Sequence, residues 1–329
     1  MSIAPPLMKH KPGQADRAVH ADRAVHAELV EAPRKASTGS ARTALPLDEA
    51  PFVPPRWRWV RKHPTLIIGA LLLIAVAALS IAAPWIATHD PQDIDPLARM
   101  QVPSAEHWFG TDALGRDVFS RAVWGGQVSM IVGASVAVLA TVFGVLIGLF
   151  AGFVRWADGP VMRVMDGLMA IPGILLAIAL MAVTRASLTT VIVAITVPEI
   201  PRVVRLVRSL ALTLREQLYV EAAHAVGTRL PVILFRHVLP NMVAPLIVQS
   251  TFVAAAAVLT EAALSFLGVG VPAQTPSWGN MMAEGRNFVA VAFHIILYPG
   301  LLLAATVLAI NLLGDGLRDA LDPRLARQL

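Results

Sequence analysis

Residues 122–154 read AVWGGQVSMIVGASVAVLATVFGVLIGLFAGFV, thirty-three positions between Arg121 and Arg155 without one Asp, Glu, Lys or Arg. A helix needs about 20 apolar residues to cross a bilayer core, and only helices or closed barrels satisfy their backbone groups there. The stretch lacks the period-2 alternation of a barrel strand, so it reads as a membrane helix. Four other gaps between charges repeat the pattern: 27 residues between Lys62 and Asp90, 18 between Asp166 and Arg185, 24 between Arg236 and Glu261, and 28 between Arg286 and Asp315. The 329-residue chain is 56% hydrophobic and only 15% charged, against about 25% charged in soluble domains, and its mean hydropathy is +0.64. Length alone would suggest about two soluble domains; the composition overrides it. The chain has no cysteine, which excludes disulfides, thiolate metal sites and a cysteine nucleophile.

These gaps predict five spans, near 65–87, 127–153, 163–183, 241–267 and 289–313. A sixth, over 188–210, reads LTTVIVAITVPEIPRVVRLVRSL and is interrupted by Pro198, Glu199, Pro201 and Arg202; a soluble amphipathic helix is its alternative. Charge placement favours six. Four Lys/Arg directly precede the first span, two lie in the second connection, six in the fourth and three in the tail, fifteen in all, against five on the other side. The positive-inside rule then puts both termini in the cytoplasm. The expected fold class is an all-α polytopic membrane protein with six transmembrane helices, N-in and C-in. Residues 1–55 are polar and Pro-rich, with ADRAVH at Ala15–His20 and again at Ala21–His26. Two short copies make no solenoid, no apolar h-region precedes residue 65, and disorder is the expectation. Arg56, Trp57, Arg58 and Trp59 read as an interfacial anchor to membrane lipid.

The longest cytoplasmic connection, 209–240, carries Glu221-Ala222-Ala223, then Gly227, then His237-Val238-Leu239-Pro240-Asn241. Residues 214–226 are good helix formers; Gly227 suits a left-handed C-terminus; Pro231 suits the first turn of a second helix; Pro240 is expected to break that helix before the next span. The picture is two short helices on a glycine hinge, with Ala222, Ala223 and Ala225 as a smooth face. A second run, His107-Trp108-Phe109-Gly110-Thr111-Asp112-Ala113-Leu114-Gly115-Arg116-Asp117-Val118-Phe119-Ser120-Arg121, has chain-breaking glycines and locally pairing side chains. Asp112, Asp117 and His107 do not suggest a metal here, since one His stands without a second ligand cluster.

The first of these stretches resembles the EAA loop of bacterial ABC-importer permeases. Thr228-Arg229-Leu230-Pro231 departs from the usual residues after the Gly. The second is similar to the HxxGTDxxGRDxxSR signature of the C-type permease subunit in dipeptide, oligopeptide and nickel importers. Ala262–Gly268, Pro276–Gly279 and Glu284–Arg286, and the ending Asn311–Arg324, look like the same subunit. The resemblance spans about residues 55–325 and implies a type I ABC-importer permease fold. It divides the chain into a cytoplasmic arm (1–55), a first helix with its periplasmic loop (56–124), a permease core (125–314, with the EAA coupling loop at 209–240) and a cytoplasmic tail (315–329). It also implies that Glu221, Ala222, Ala223, Gly227, His237, Pro240 and Asn241 couple to an ATPase, and that Gly110, Thr111, Asp112, Gly115, Arg116, Asp117, Ser120 and Arg121 form the family's signature loop.

Four ionisable residues fall at or near membrane depth, where charge is costly. Glu199 with Arg202, at i and i+3, suggests a local pair. Asp166 suits either an interfacial or a pathway position, and Glu261 a structural polar contact. All four remain candidate pathway residues. The small residues 254–257 suit close helix packing.

The chain carries no Walker A motif and no Ser/His/Asp, paired-carboxylate or metal constellation. No enzyme activity and no cofactor of its own are therefore expected; ATP and Mg²⁺ belong to partner subunits. The resemblance implies a sister B-type permease, two ATP-binding subunits and an extracytoplasmic substrate-binding protein, in a bacterial inner membrane, with no nucleic-acid partner. The cargo expected is a short di- or oligopeptide, with nickel or glutathione as alternatives. An intramembrane enzyme would need paired catalytic groups, and His294 has no evident Ser or Asp partner. A secondary transporter would show inverted repeats, and none is visible. Co-purification of an ATPase separates the three.

Overall fold

The computed structural model describes residues 63–321. The aromatic anchor, the repeated arm and the last residues of the tail lie outside them. Within this range the chain is helical: α1 Pro64–Ile81, α2 Ala83–Ile86, α3 Val118–Phe153, α4 Arg155–Ala170, α5 Gly173–Val183, α6 Leu188–Arg215, α7 Leu218–Ala225, α8 Leu230–Ile233, α9 Leu239–Phe266, α10 Trp278–Gly285 and α11 His294–Leu321. The one β feature among the described residues is an isolated bridge between Thr111 and Asp117.

Four stretches are long and apolar enough to cross a membrane, namely α1, α3, Leu230–Phe266 and α11, and the bent pair α4–α5 makes a fifth if it counts as one span. Several predicted boundaries change. The 65–87 span ends early, because Pro84 cannot donate to the carbonyl of Ser80. The Gln127 amide of α3 donates to that carbonyl instead, at 2.8 Å. The 127–153 span starts nine residues earlier, capped by Asp117, whose carboxylate accepts from the Ser120 N–H at 2.8 Å. At 36 residues α3 is about 54 Å long at 1.5 Å per residue, well beyond a bilayer core. The 163–183 span is not one helix: the chain turns through 89° between α4 and α5. Pro172 forces Ile171 into an extended conformation there. The last span begins at His294 rather than 289 and runs on to Leu321.

The doubtful sixth segment is one 28-residue helix that carries Pro198 and Pro201 inside it. It packs along α3 through a repeat that its own sequence does not contain. Gly144, Gly148 and Gly152 of α3 recur every fourth residue and face Val203, Val207 and Ala211 of α6. A Cβ added to Gly148 would stand 2.7 Å from the Val207 Cβ, and one added to Gly152 2.6 Å from the Ala211 Cβ. The two backbones are as close as glycine allows, the kind of contact that holds helices together where lipid supplies no hydrophobic drive. Val203, Val207 and Ala211 are fully buried in the main core, with Val136 and Ala140 of α3.

Candidate functional site

Two assemblies of side chains rise from this bundle. The first is the EAA segment. Its helix is shorter than expected: α6 ends at Arg215, Gln217 is extended, and α7 runs only from Leu218 to Ala225. Gly227 has φ +76°, with nothing within 4 Å of where a Cβ would sit. The Gly227 N–H donates to His224 O at 2.9 Å and the Thr228 N–H to Ala223 O at 3.0 Å. This is a Schellman ending, which requires the left-handed conformation. Pro231 stands in the first turn of α8, as expected.

Pro240 does not break the chain. A π-helical turn, Leu234–Val238, joins α8 to α9 so that helix continues from Leu230 to Phe266. Pro240 has no N–H for the carbonyl one turn back. The widened turn carries the helix across that gap: Leu239 N–H bonds to Leu234 O, and the Asn241 side chain donates to His237 O at 2.6 Å. The predicted face is also rearranged. Ala223 is buried with Val220, Ile233 and Val238, and these residues root the segment in the core. Leu218, Tyr219, Glu221, Ala222, Ala225 and Val226 are exposed, so the smooth face comprises Ala222 and Ala225 without Ala223. Leu218 and Val226 are more than four-fifths exposed, and Tyr219 sits beside His237, ring centroids 6.5 Å apart. The result is a knob with an apolar exposed side and a rigid stem.

The second assembly is the signature loop, whose residues were expected to pair locally. The structure shows that they also pair at long range. The Asp112 carboxylate accepts from the Leu114 N–H at 2.8 Å, the Arg116 N–H at 3.0 Å and the Arg116 Nε at 2.7 Å, and from Arg121. Glu284 of α10 accepts from Arg116 Nη2 at 2.5 Å and from both Arg121 Nη atoms, at 2.6 and 3.2 Å. Two guanidiniums and two carboxylates thus fasten the start of α3 to α10, and Arg121 is only 2% exposed. The Trp278 Nε1–H donates to Ala122 O at 2.8 Å, and His294 Nε2 lies 3.0 Å from Thr111 O. Gly110 and Gly115 turn the loop at φ +76° and +84°. Asp117 is held by Ser120, Thr88 and His107.

The intramembrane candidates are all engaged. Arg202 Nη1 lies 3.1 Å from Glu199 Oε1, the local pair expected. Asp166 pairs with Arg205 at 2.5 Å across the α4–α6 contact, and Asp158 pairs with Arg208, one turn further along α6. Glu261 is fully buried in α9 and accepts from the Ser129 and Ser265 hydroxyls, each at 2.9 Å. Nothing local in the sequence marks Glu284 as the partner of the signature arginines. The Gly144–Gly148–Gly152 repeat, by contrast, is written in the sequence as a four-residue spacing.

The family described as binding-protein-dependent transport system inner membrane component matches residues 144–327, and the N-terminal TM domain of oligopeptide transport permease C matches residues 56–103. The chain belongs to this transport-permease family. It is 54% identical over 271 residues to the probable peptide ABC transporter permease protein y4tQ of Sinorhizobium fredii, covering 82% of this chain and 93% of the relative. It is 41% identical to the dipeptide transport system permease protein DppC of Alkalihalophilus pseudofirmus, over 85% of this chain and 93% of the relative. It is 42% identical to the glutathione transport system permease protein GsiD of Escherichia coli, over 82% and 89%. The fold matches the MetNI methionine ABC transporter in an inward-facing conformation, with TM-score 0.51 and 20% identity over 61% of this chain and 96% of that one. The permease family makes this chain a multi-pass inner-membrane component, in keeping with its apolar helices.

Proposed function

We propose that this permease is the C-type membrane subunit of an ATP-driven importer for short peptides. It would pair with a B-type sister permease, two ATP-binding subunits and a substrate-binding protein. The observation that carries the reading is the α7 knob: exposed apolar and small residues on a helix whose root is buried and whose exit is fixed by Gly227. The peptide cargo rests on the relatives named for peptide and dipeptide transport. In this reading α1, α3, the broken α4–α5, α6, α9 and α11 make six crossings. The excess of Lys and Arg on one side supports a cytoplasmic position for both termini, with the α7 knob on that same side.

The mechanism is alternating access. ATP draws the two ATP-binding subunits together, and their closure displaces the docked knob. The knob joins the Leu230–Phe266 helix through the short turn at Gly227, and the π turn keeps that helix unbroken past Pro240, so the displacement passes to a stiff lever. Helices packed backbone to backbone, as α3 and α6 are, move as one body, and the bundle switches between two packings instead of deforming. Differential binding of the ATPase to those two packings is the energy that shifts their populations.

The test is uptake of a labelled dipeptide into vesicles containing the reassembled transporter. Gly227→Pro cannot adopt φ +76°, and Glu221→Lys reverses the charge on the knob's exposed side. Both are expected to abolish uptake and the stimulation of ATP hydrolysis by loaded binding protein while the chain still inserts. Normal uptake by either variant overturns the coupling assignment. Competition by unlabelled glutathione against dipeptide decides between the two cargo classes seen among the relatives.

A further inference from the structure

The signature loop holds one carboxylate that no arginine claims. Arg116 and Arg121 are taken up by Asp112 and Glu284, whereas Asp117 bonds one imidazole and has a second within 4.8 Å. His107 Nδ1 lies 3.0 Å from Asp117 Oδ1, and both residues are buried. His89 stands beside them, its ring centroid 4.7 Å from that of His107 and tilted by 33°. One ligand atom from each of the three lies within 4.8 Å of the others. His89 is 18 positions from His107 in sequence, and the fold brings it back: its own N–H donates to the Ser120 hydroxyl at 3.1 Å, pinning it to the first turn of α3.

We propose that His89, His107 and Asp117 form a binding site for one divalent transition-metal ion of the zinc class. Two imidazoles and a carboxylate are a donor set for a borderline ion; a hard ion such as Mg²⁺ or Ca²⁺ would want oxygens throughout. Three protein ligands leave a position for water, and the half-exposed His89 side gives the ion an entry path. The surroundings are those of a supported ligand. The second carboxylate oxygen of Asp117 accepts from the Ser120 N–H at 2.8 Å, the Ser120 hydroxyl at 2.7 Å and the Thr88 hydroxyl at 3.1 Å, which fixes the direction in which Oδ1 points. The ion would replace the hydrogen bond between His107 Nδ1 and Asp117 Oδ1, and those two side chains part slightly to admit it. The ion is reached by a swing of the His89 imidazole, whose present polar contact is the neighbouring Thr88 hydroxyl at 3.1 Å. A bound ion would clamp the segment after α2 onto the start of α3. The site stands or falls independently of the cargo.

The experiment uses the full-length chain in detergent, stripped with chelator. His10, His20 and His26 are changed to Gln, because these arm histidines would bind metal on their own account. Zinc is titrated by calorimetry, and cobalt is added as a spectroscopic substitute. One ion per chain is expected, with visible ligand-field bands for cobalt and a higher thermal midpoint with zinc. His89→Gln and His107→Gln are each expected to weaken binding at least tenfold, the lower end of the loss seen even for outer-shell partners. His224→Gln, on the exposed knob, leaves affinity unchanged. His89→Gln keeps its midpoint in the absence of metal, which separates lost binding from lost folding. No saturable uptake, or uptake that depends on His107 but survives His89→Gln, overturns the site and leaves a plain His107–Asp117 hydrogen bond.

Discussion

Arg121 shows how much a single side chain carries. It is buried, and its guanidinium serves both Asp112, nine residues before it, and Glu284, 163 residues after it. Removing one member of a buried charge set strands the others, at a cost of about 3–5 kcal/mol. Arg121→Ala is therefore expected to lower the thermal midpoint of the purified chain sharply. Glu284 is 28% exposed as a side chain, so Glu284→Gln should cost less than Arg121→Ala. Equal midpoints for both variants would show that Arg121 does not depend on its carboxylates. Glu261 is the opposite case, a carboxyl group in α9 that meets hydroxyls and no cation among the described residues. Ser129→Ala deletes one of those donors, and about 1–3 kcal/mol of destabilisation is expected on thermal unfolding.

Among the helices, the α3–α6 contact is the informative one. Gly148→Leu would drive a side chain into Val207, and overpacking of this kind costs about 1–3 kcal/mol. Gly167 of α4 has nothing within 4 Å, so Gly167→Ala should gain roughly 0.5–1 kcal/mol from helix propensity. Thermal midpoints of the two variants test the pair of expectations, and a shift of both in the same direction would overturn them. This contact also accounts for the mixed polarity of the sixth segment. Hydropathy judged α6 by its own Glu199, Arg202, Arg205 and Arg208. What seats this helix in the bundle is instead a set of glycines 59 residues earlier and the acidic partners Asp158 and Asp166 in α4. The α4–α5 bend was legible in principle, since a residue before proline avoids the helical region, but an apolar gap without charges hides it.

For the assembled transporter, the knob and the signature loop lie at separate places on the chain, and the bundle connects them through α9 and α10. In the proposed importer, deletion of residues 2–50 should leave uptake unchanged, because the family matches begin at residue 56. A large loss of uptake in vesicles would give the arm a part in transport. The same preparation should retain both ATP-binding subunits in the deletion variant and lose them when the exposed Leu218 and Val226 are both changed to Asp.

Apolar spans, the glycine stop at 227 and the family signatures were all present in the order of the amino acids. The reason is that burial in lipid and backbone permissiveness are local properties, summed over a window or fixed at one position. Glu284 facing Arg121, His89 beside His107, Ala223 turned inward and the unbroken passage past Pro240 were not. Each depends on which surfaces meet after packing, and residues 163 positions apart carry no local mark of the contact they will make.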